Sequence, residues 1–570
     1  ETAATPSDDP AETLDAVVVG AGFAGMYLLY QLREQGRSVV VFEAGADVGG
    51  TWWWNRYPGA RCDVPSMEYS YSFDPDLEQE WNWTELMAGQ PEILRYARHV
   101  ADRYDLRPDI VFETTVTSAH WDEGDRRWLV TTDSGRRVRA RWCLMATGCL
   151  SVPNTPNLPG LDEFAGTVLH TGRWPEQWPD LAGKRVGIIG TGSSGVQAIP
   201  ELAEQAGHLT VFQRSPVYTV PANNRPLAPE IVAEFKARYP EIRDRQRDSV
   251  SGFLGPAALR RPKPRAVEDR GRGGDDTGTP AGTAQPERTR SGLLDLSEQE
   301  RREAFDRNGP GAFMRFRDVY LDPEANEVAC ELFRREIDKV VEDPAVAEAL
   351  KPTDYPLACK RQVLDTDYYR TFNRSDVTLI DLRHHPLQTI TGAGVRTEAG
   401  QVELDVLVLA TGFAAMTGAL SRIDIRGRAG RRLSEAWSGG PRTYLGLQVA
   451  GFPNLFTVTG PGSPSVLANM IVAIEHHVDW IVDCIAHLDV VGATTIEPSP
   501  EAVDDWVDHV NEVADDTMYT APNCNSWYLG SNIDGKARVF MPYVGGFGRY
   551  RRHCDDIVAD DYRGFVLDAS

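Results

Sequence analysis

The chain has 570 residues, more than one hydrophobic core can serve, so two to four packed units are expected. Apolar residues make up 42% and charged residues 25% of it, and no apolar run approaches the roughly 18 residues that a membrane span requires. Lys and Arg number 59 against 83 Asp and Glu, and the resulting charge of −24 disfavours nucleic acid backbones and anionic membranes as partners.

In chain order, Glu1 to Glu12 is polar and lacks an apolar segment. It reads as a disordered lead-in, trimmed of its Met, and not as a signal peptide. Asp15 to Val19 predicts a short strand ending in Gly20, a helical pattern follows to about Gln35, and Ser38 to Phe42 predicts a second strand. The same βαβ arrangement returns with Arg185 to Ile189, a helix to about Ala206, and Leu209 to Phe212. Two more strands, Trp142 to Met145 and Val406 to Leu409, each run into Ala-Thr-Gly, at 146–148 and 410–412, and predict two crossings between domains. A mainly helical region from about Pro229 to Leu350 is interrupted at 255–293 by a stretch rich in Pro, Gly, Arg and Thr. That composition predicts a mobile surface loop, dispensable for stability. Val466 to Leu488 has helical spacing with Ser463-Pro464-Ser465 as its cap, and Asn523 to Gly548 is turn-rich.

The eight cysteines, at 62, 143, 149, 330, 359, 484, 524 and 554, are scattered with no C-x-x-C pair. Neither a metal site nor a disulfide framework is indicated, and reduced thiols in a cytoplasm are expected.

Gly20-x-Gly22-x-x-Gly25 follows the first strand, and Glu43 closes the next strand 23 residues after Gly20. Glycines in this spacing let backbone approach a pyrophosphate at a helix N-terminus, while the carboxylate accepts from a ribose hydroxyl. In the second copy, Gly190-x-Gly192-Ser193-x-Gly195, the acidic position holds Gln213 followed by Arg214. A cation there suits a 2′-phosphate, so NADPH is the second nucleotide expected. The pairing describes a flavoprotein reduced by NADPH, a class that includes disulfide reductases as well as monooxygenases. Where a reductase would carry its redox cysteine pair, after Gly49-Gly50, only Cys62 stands.

Gly49-Gly50-Thr51-Trp52, then after four residues Tyr57-Pro58-Gly59, and Asp63 resemble one signature of the Baeyer–Villiger monooxygenases. Phe164-x-Gly166-x-x-x-His170-x-x-x-Trp174-Pro175 resembles the other. The likeness runs from about Asp15 to Phe547, outside 255–293, and is nearest to the phenylacetone and steroid monooxygenase branch. It implies an α/β fold of two Rossmann-like dinucleotide-binding domains with a helical insertion domain. FAD would occupy 13–150 with 390–555, NADP 151–225 with 351–389, and 226–350 would be helical. The implied reaction converts a ketone to an ester or lactone with dioxygen by way of a peroxyflavin. Flavin N- or S-oxygenation of amines or sulfides is the alternative.

The resemblance also implies roles. Arg361, in Cys359-Lys360-Arg361, would stabilise the peroxide and the oxyanion of the adduct, and Asp63 would pair with it. Lys360 would join Arg214 at the 2′-phosphate, and Trp527 would hold the nicotinamide ribose. Cys149 is either a substrate-cavity residue or a buried structural cysteine, and Ser465, Leu467 and Met470 complete the expected substrate pocket. His170 reads as a residue that fixes the interdomain linker and not as a catalyst. Nothing in the residues sets the ketone or the oligomeric state.

Overall fold

A computed structural model describes residues 11–260, 292–309, 311, 316–533 and 535–569. Most of the lead-in and the centre of the 255–293 stretch lie outside these residues. Glu12, expected in the lead-in, opens the first strand, Glu12–Val19, whose last four residues are buried on both faces as a central parallel strand requires.

That strand pairs in parallel with Val39–Phe42 on one side and Arg137–Met145 on the other. They are the centre of an eight-stranded sheet that continues to Ile110–Val111 at one end, and through the antiparallel strands Arg127–Thr132 and Val116–Asp122 to Asp424–Arg426 at the other. Leu455–Thr457 also pairs with Arg137–Met145. The second sheet is wholly parallel, in the order Val377–Asp381, His208–Gln213, Arg185–Ile189, Val406–Leu409, Thr167–His170. Two doubly wound units therefore stand side by side, each with its Gly-rich turn leading into a helix, Phe23–Glu34 and Ser193–Gln205.

Val406–Leu409 was expected in the first unit, whose return was placed at 390. Instead its residues register against Val186–Ile189 and Thr167–His170 and fill the centre of the second sheet. The hairpin strands 387–403 go with it, since Ile390, Val395 and Leu404 share a core with Phe164, Ile189 and Phe212. The second unit thus extends to about 410, and the chain re-enters the first sheet at Asp424–Arg426. Boundaries of this kind depend on which edge a strand adopts, and hydrophobic pattern alone does not specify that.

The helical region holds Pro229–Ala237, Tyr239–Asp248, Glu298–Asn308, Pro323–Val340 and Pro344–Leu350. Its 255–293 stretch is not free at the ends. Glu68 accepts hydrogen bonds from Leu254 N and Gly255 N, at 2.6 and 2.7 Å, and Ala258 and Leu293 are buried in apolar cores. The helix expected from Val466 begins at Met470, because Ser465–Leu467 closes a separate 3-10 turn and Asn469, not Ser463, caps the helix through Ile471 N at 3.1 Å. It ends at Val491, where Gly492 takes a left-handed conformation. Among the described residues no helix is long and apolar enough to cross a membrane.

The thiols differ from expectation. Cys359 and Cys524 form a disulfide, Cα to Cα 5.6 Å, while the other six cysteines are free and buried. Their separation of 165 residues hid the pairing, since only the tertiary fold brings 359 beside 524.

Candidate active site

The two Ala-Thr-Gly runs end directly beneath the two Gly-rich turns. Gly20 and Gly190 have φ of +103° and +111°, and a Cβ on either would stand 2.6 Å from the Ala146 carbonyl oxygen or 2.4 Å from that of Ala410. Only glycine permits both the left-handed backbone and that approach. Gly25 and Gly195 are not on the cavity wall; their missing side chains allow the helices to lie against the Gly20 and Gly190 carbonyls. Gly22 faces Gly50 across the first turn, and beside Gly192 there is open space.

Both turns open into one continuous cavity of about 1290 Å³. Of the residues expected to bind cofactor, Gly20, Gly22, Glu43, Gly50, Thr51, Trp52, Asp63, Gly190, Gly192, Ser193, Arg214, Lys360 and Trp527 line it. Exposed backbone N–H groups at the two helix N-termini, with glycines wherever a side chain would block them, fit two dinucleotides. Glu43 is buried, and its two oxygens accept from Ala21 N and Gly45 N, each at 2.7 Å. Burial pushes its carboxyl above the usual range against the pull of these donors. Its remaining lone pairs are those a ribose hydroxyl would meet.

The Trp run divides by direction. Trp52 lines the cavity and donates from Nε1 to the Tyr69 hydroxyl at 3.1 Å, and Trp54 lines it beneath the Arg173 guanidinium, 4.1 Å from the ring centroid. Trp53 turns away to stack with Arg56. Tyr57 and Gly59 belong to the interface between the units: the Tyr57 hydroxyl donates to Gln197 Oε1 at 2.7 Å, and a Cβ on Gly59 would stand 2.2 Å from the Gln197 carbonyl oxygen.

Arg361 and Asp63 meet where the units face each other. Nε and Nη2 of the arginine both lie 2.7 Å from Asp63 Oδ2, and Nη1 donates to the Val466 carbonyl oxygen. Burial opposes both charges, yet each sustains the other. Asp63 is held below the usual carboxylate range by Arg361, and Arg361 is raised well above its own by Asp63 and the Tyr528 phenol. Beside Arg361 in the chain, burial and the nearby Arg214 charge push Lys360 down to about 8. Two cations that repel each other beside a nucleotide turn form a site for a multiply charged anion.

Of the expected substrate residues, Cys149 and Met470 line the cavity, and burial pushes the Cys149 thiol up to about 11, so it stays protonated. Ser465 and Leu467 do not line it. The 3-10 turn presents Val466 to the cavity and sends Ser465, fully buried, against the Met416 sulfur, while Leu467 packs into a neighbouring core. His170 is a junction: Nδ1 accepts from Gly172 N at 2.9 Å, which leaves the proton on Nε2, 3.2 Å from both the Asn154 carbonyl oxygen and Thr411 Oγ1. It thereby joins the two chain crossings.

Sequence reasoning missed Arg173, Trp54, Tyr528 and the Val466 carbonyl. Arg173 and Trp54 lie inside the recognised signatures at variable positions. The carbonyl is a backbone group, and no residue type marks it.

The family described as pyridine nucleotide-disulphide oxidoreductase matches residues 17–250. A Baeyer–Villiger monooxygenase of Pseudooceanicola batsensis is 41% identical over 560 residues, 97% of this chain and 96% of its own. A phenazine N-monooxygenase of Lysobacter antibioticus is 39% identical over 98% of this chain and 98% of its own. A solved oxidized steroid monooxygenase bound to NADP is 49% identical, with a TM-score of 0.87 over 98% of this chain and 100% of that one. Likeness on this scale spans both nucleotide turns and the Arg361–Asp63 pair between them, and so the chain belongs to the Baeyer–Villiger monooxygenases, flavin enzymes that use FAD and NADPH to convert ketones to esters or lactones.

Proposed function

We propose that this enzyme acts on bulky cyclic, aryl or steroid-like ketones, in a cytoplasm, by the overall reaction ketone + O2 + NADPH + H+ → ester or lactone + NADP+ + H2O. The observation that carries the reading is the Arg361–Asp63 pair, held by Val466 and facing the cavity shared by both nucleotide turns. Bound FAD supplies the two-electron carrier between NADPH and dioxygen. Arg361 keeps a fixed positive charge where the ketone oxygen becomes negative, and Asp63 fixes the direction of that charge. Arg214 and Lys360 hold the 2′-phosphate, and Trp527 with Trp52 and Trp54 walls the reacting end from water. Cys149 and Met470 border the ketone.

A panel of cyclic, aryl and steroid ketones, incubated with NADPH under labelled dioxygen, tests this: products should carry one labelled oxygen inserted beside the carbonyl. N-oxygenation is a second reading, favoured by the phenazine N-monooxygenase relative. A heteroaromatic amine in the same panel separates the two, since N-oxides without any ester would overturn ketone oxygenation.

A further inference from the structure

Two stretches distant in sequence bring the cofactor-facing groups together at one end of the cavity. One presents Tyr355, Lys360 and Arg361, the other Asn525, Ser526 and Trp527. Cys359 immediately precedes the first pair of cations, Cys524 immediately precedes the second stretch, and the two are joined by a disulfide. Neither cysteine is on the cavity wall; both are buried just behind it. Two polar ties accompany the disulfide: Asn523 Nδ2 donates to the Asp354 carbonyl oxygen at 2.9 Å, and the Tyr528 phenol meets Arg361. Ala358, before Cys359, holds a left-handed φ of +68°, a conformation a non-glycine residue keeps only when its surroundings impose it. The disulfide is the covalent link between the Lys360–Arg361 stretch and the Trp527 stretch, and it acts through its neighbours.

We propose that Cys359–Cys524 is a redox-controlled clamp on the NADP end of the cavity. In the disulfide form it holds the Trp527 stretch against Lys360 and Arg361 and retains the dinucleotide; in the dithiol form the stretch lifts and the dinucleotide leaves sooner. The proposal rests on the reading of Lys360, Arg214 and Trp527 as nucleotide-holding residues. The reductant is a small dithiol. One of its thiolates attacks a cysteine sulfur, the S–S bond breaks to a mixed disulfide, and its second thiol displaces the enzyme cysteine. Two electrons and two protons pass to Cys359 and Cys524, and the reductant leaves as a cyclic disulfide. Because the sulfurs lie behind the wall, attack requires the stretch to open, and bound NADP+ that pins it must slow the attack. Reduction and release are thus two sides of one linkage.

The FAD-loaded enzyme, purified without reductant, supplies the test. Alkylation under denaturing conditions followed by intact mass should find six of the eight cysteines modified. Dithiothreitol treatment should raise that to eight and speed NADP+ release, followed by stopped flow, at least about threefold. Saturating NADP+ should slow the reduction. Cys524→Ser should release NADP+ at the fast rate and ignore dithiothreitol, and if that variant does not fold, the wild-type comparison before and after reduction decides alone. Eight modified cysteines before reduction, unchanged release after reduction confirmed by mass, or equal reduction rates with and without NADP+ would each overturn the clamp. An oxidised enzyme that binds no NADP+ would instead bring down the nucleotide assignment, and the clamp with it.

Discussion

Arg361 directs three of its five N–H groups at Asp63 and the Val466 carbonyl, and it also meets the Tyr528 phenol at the cavity wall. Arg361→Ala removes a charge needed once oxygen becomes negative, so ester formation should fall by about 100-fold or more while NADPH still reduces the flavin. Anaerobic reduction measured beside ester yield checks this, and an ester yield close to wild type would refute the role. Lys360 poses a different question, because a lysine held near 8 changes charge within the working range. A 2′-phosphate binds its protonated form, so NADPH affinity should be full below pH 8 and decline above it, while NADH affinity stays level. Lys360→Ala should flatten that profile and weaken NADPH by about 10-fold or more. The steepness of NADPH binding against pH, compared with NADH, is the measurement, and equal slopes for both nucleotides would assign the charge to another duty.

At the scale of elements, the strands and helices of both nucleotide units were legible because their apolar runs and glycine spacings report local geometry. In the sequence Gly20 and Gly190 indicate the approach of a pyrophosphate, and their close packing on the two Ala-Thr-Gly ends emerges only in the fold. The misses share a cause: each depended on a partner far along the chain. Val406–Leu409 reads the same in either sheet until its neighbours are known, and Ser463-Pro464-Ser465 looks like a cap until Asn469 provides a better one. Composition judged 255–293 as a single loop, yet its ends have tertiary partners: Gly255 N donates to Glu68, and Leu293 is fully buried. Deleting 255–293 whole should therefore destabilise the protein. Leu293→Ala alone should cost about 2–5 kcal/mol, the usual range for a buried leucine. Denaturant unfolding monitored by flavin release would measure it, and a loss below about 0.5 kcal/mol would restore the reading of a free loop.

The whole molecule works only if the two nucleotide units hold a common geometry, because a charge on one must meet chemistry begun on the other. Arg361 lies between the helix Pro344–Leu350 and the strand Val363–Asp365, and Asp63 belongs to the first unit, yet they bond at 2.7 Å. The chain crosses between units at 146–154 and again at 410–424, and His170 spans both crossings through the Asn154 carbonyl and Thr411. Burial lowers its proton affinity, in keeping with a neutral ring that accepts at Nδ1 and donates at Nε2. His170→Ala removes that junction without touching either Gly-rich turn, so FAD should stay bound and each unit should keep its fold. What should fail is the alignment between units. NADPH oxidation should continue, but the ester formed per NADPH should fall several-fold, with the difference appearing as hydrogen peroxide, and the thermal midpoint should drop by a few degrees, the shift about 1 kcal/mol produces in a large domain. Parallel assays of NADPH loss, peroxide and ester in the variant check this. Unchanged coupling with a lowered midpoint would reduce His170 to a packing residue, and loss of FAD would show that the junction instead supports the first unit's fold.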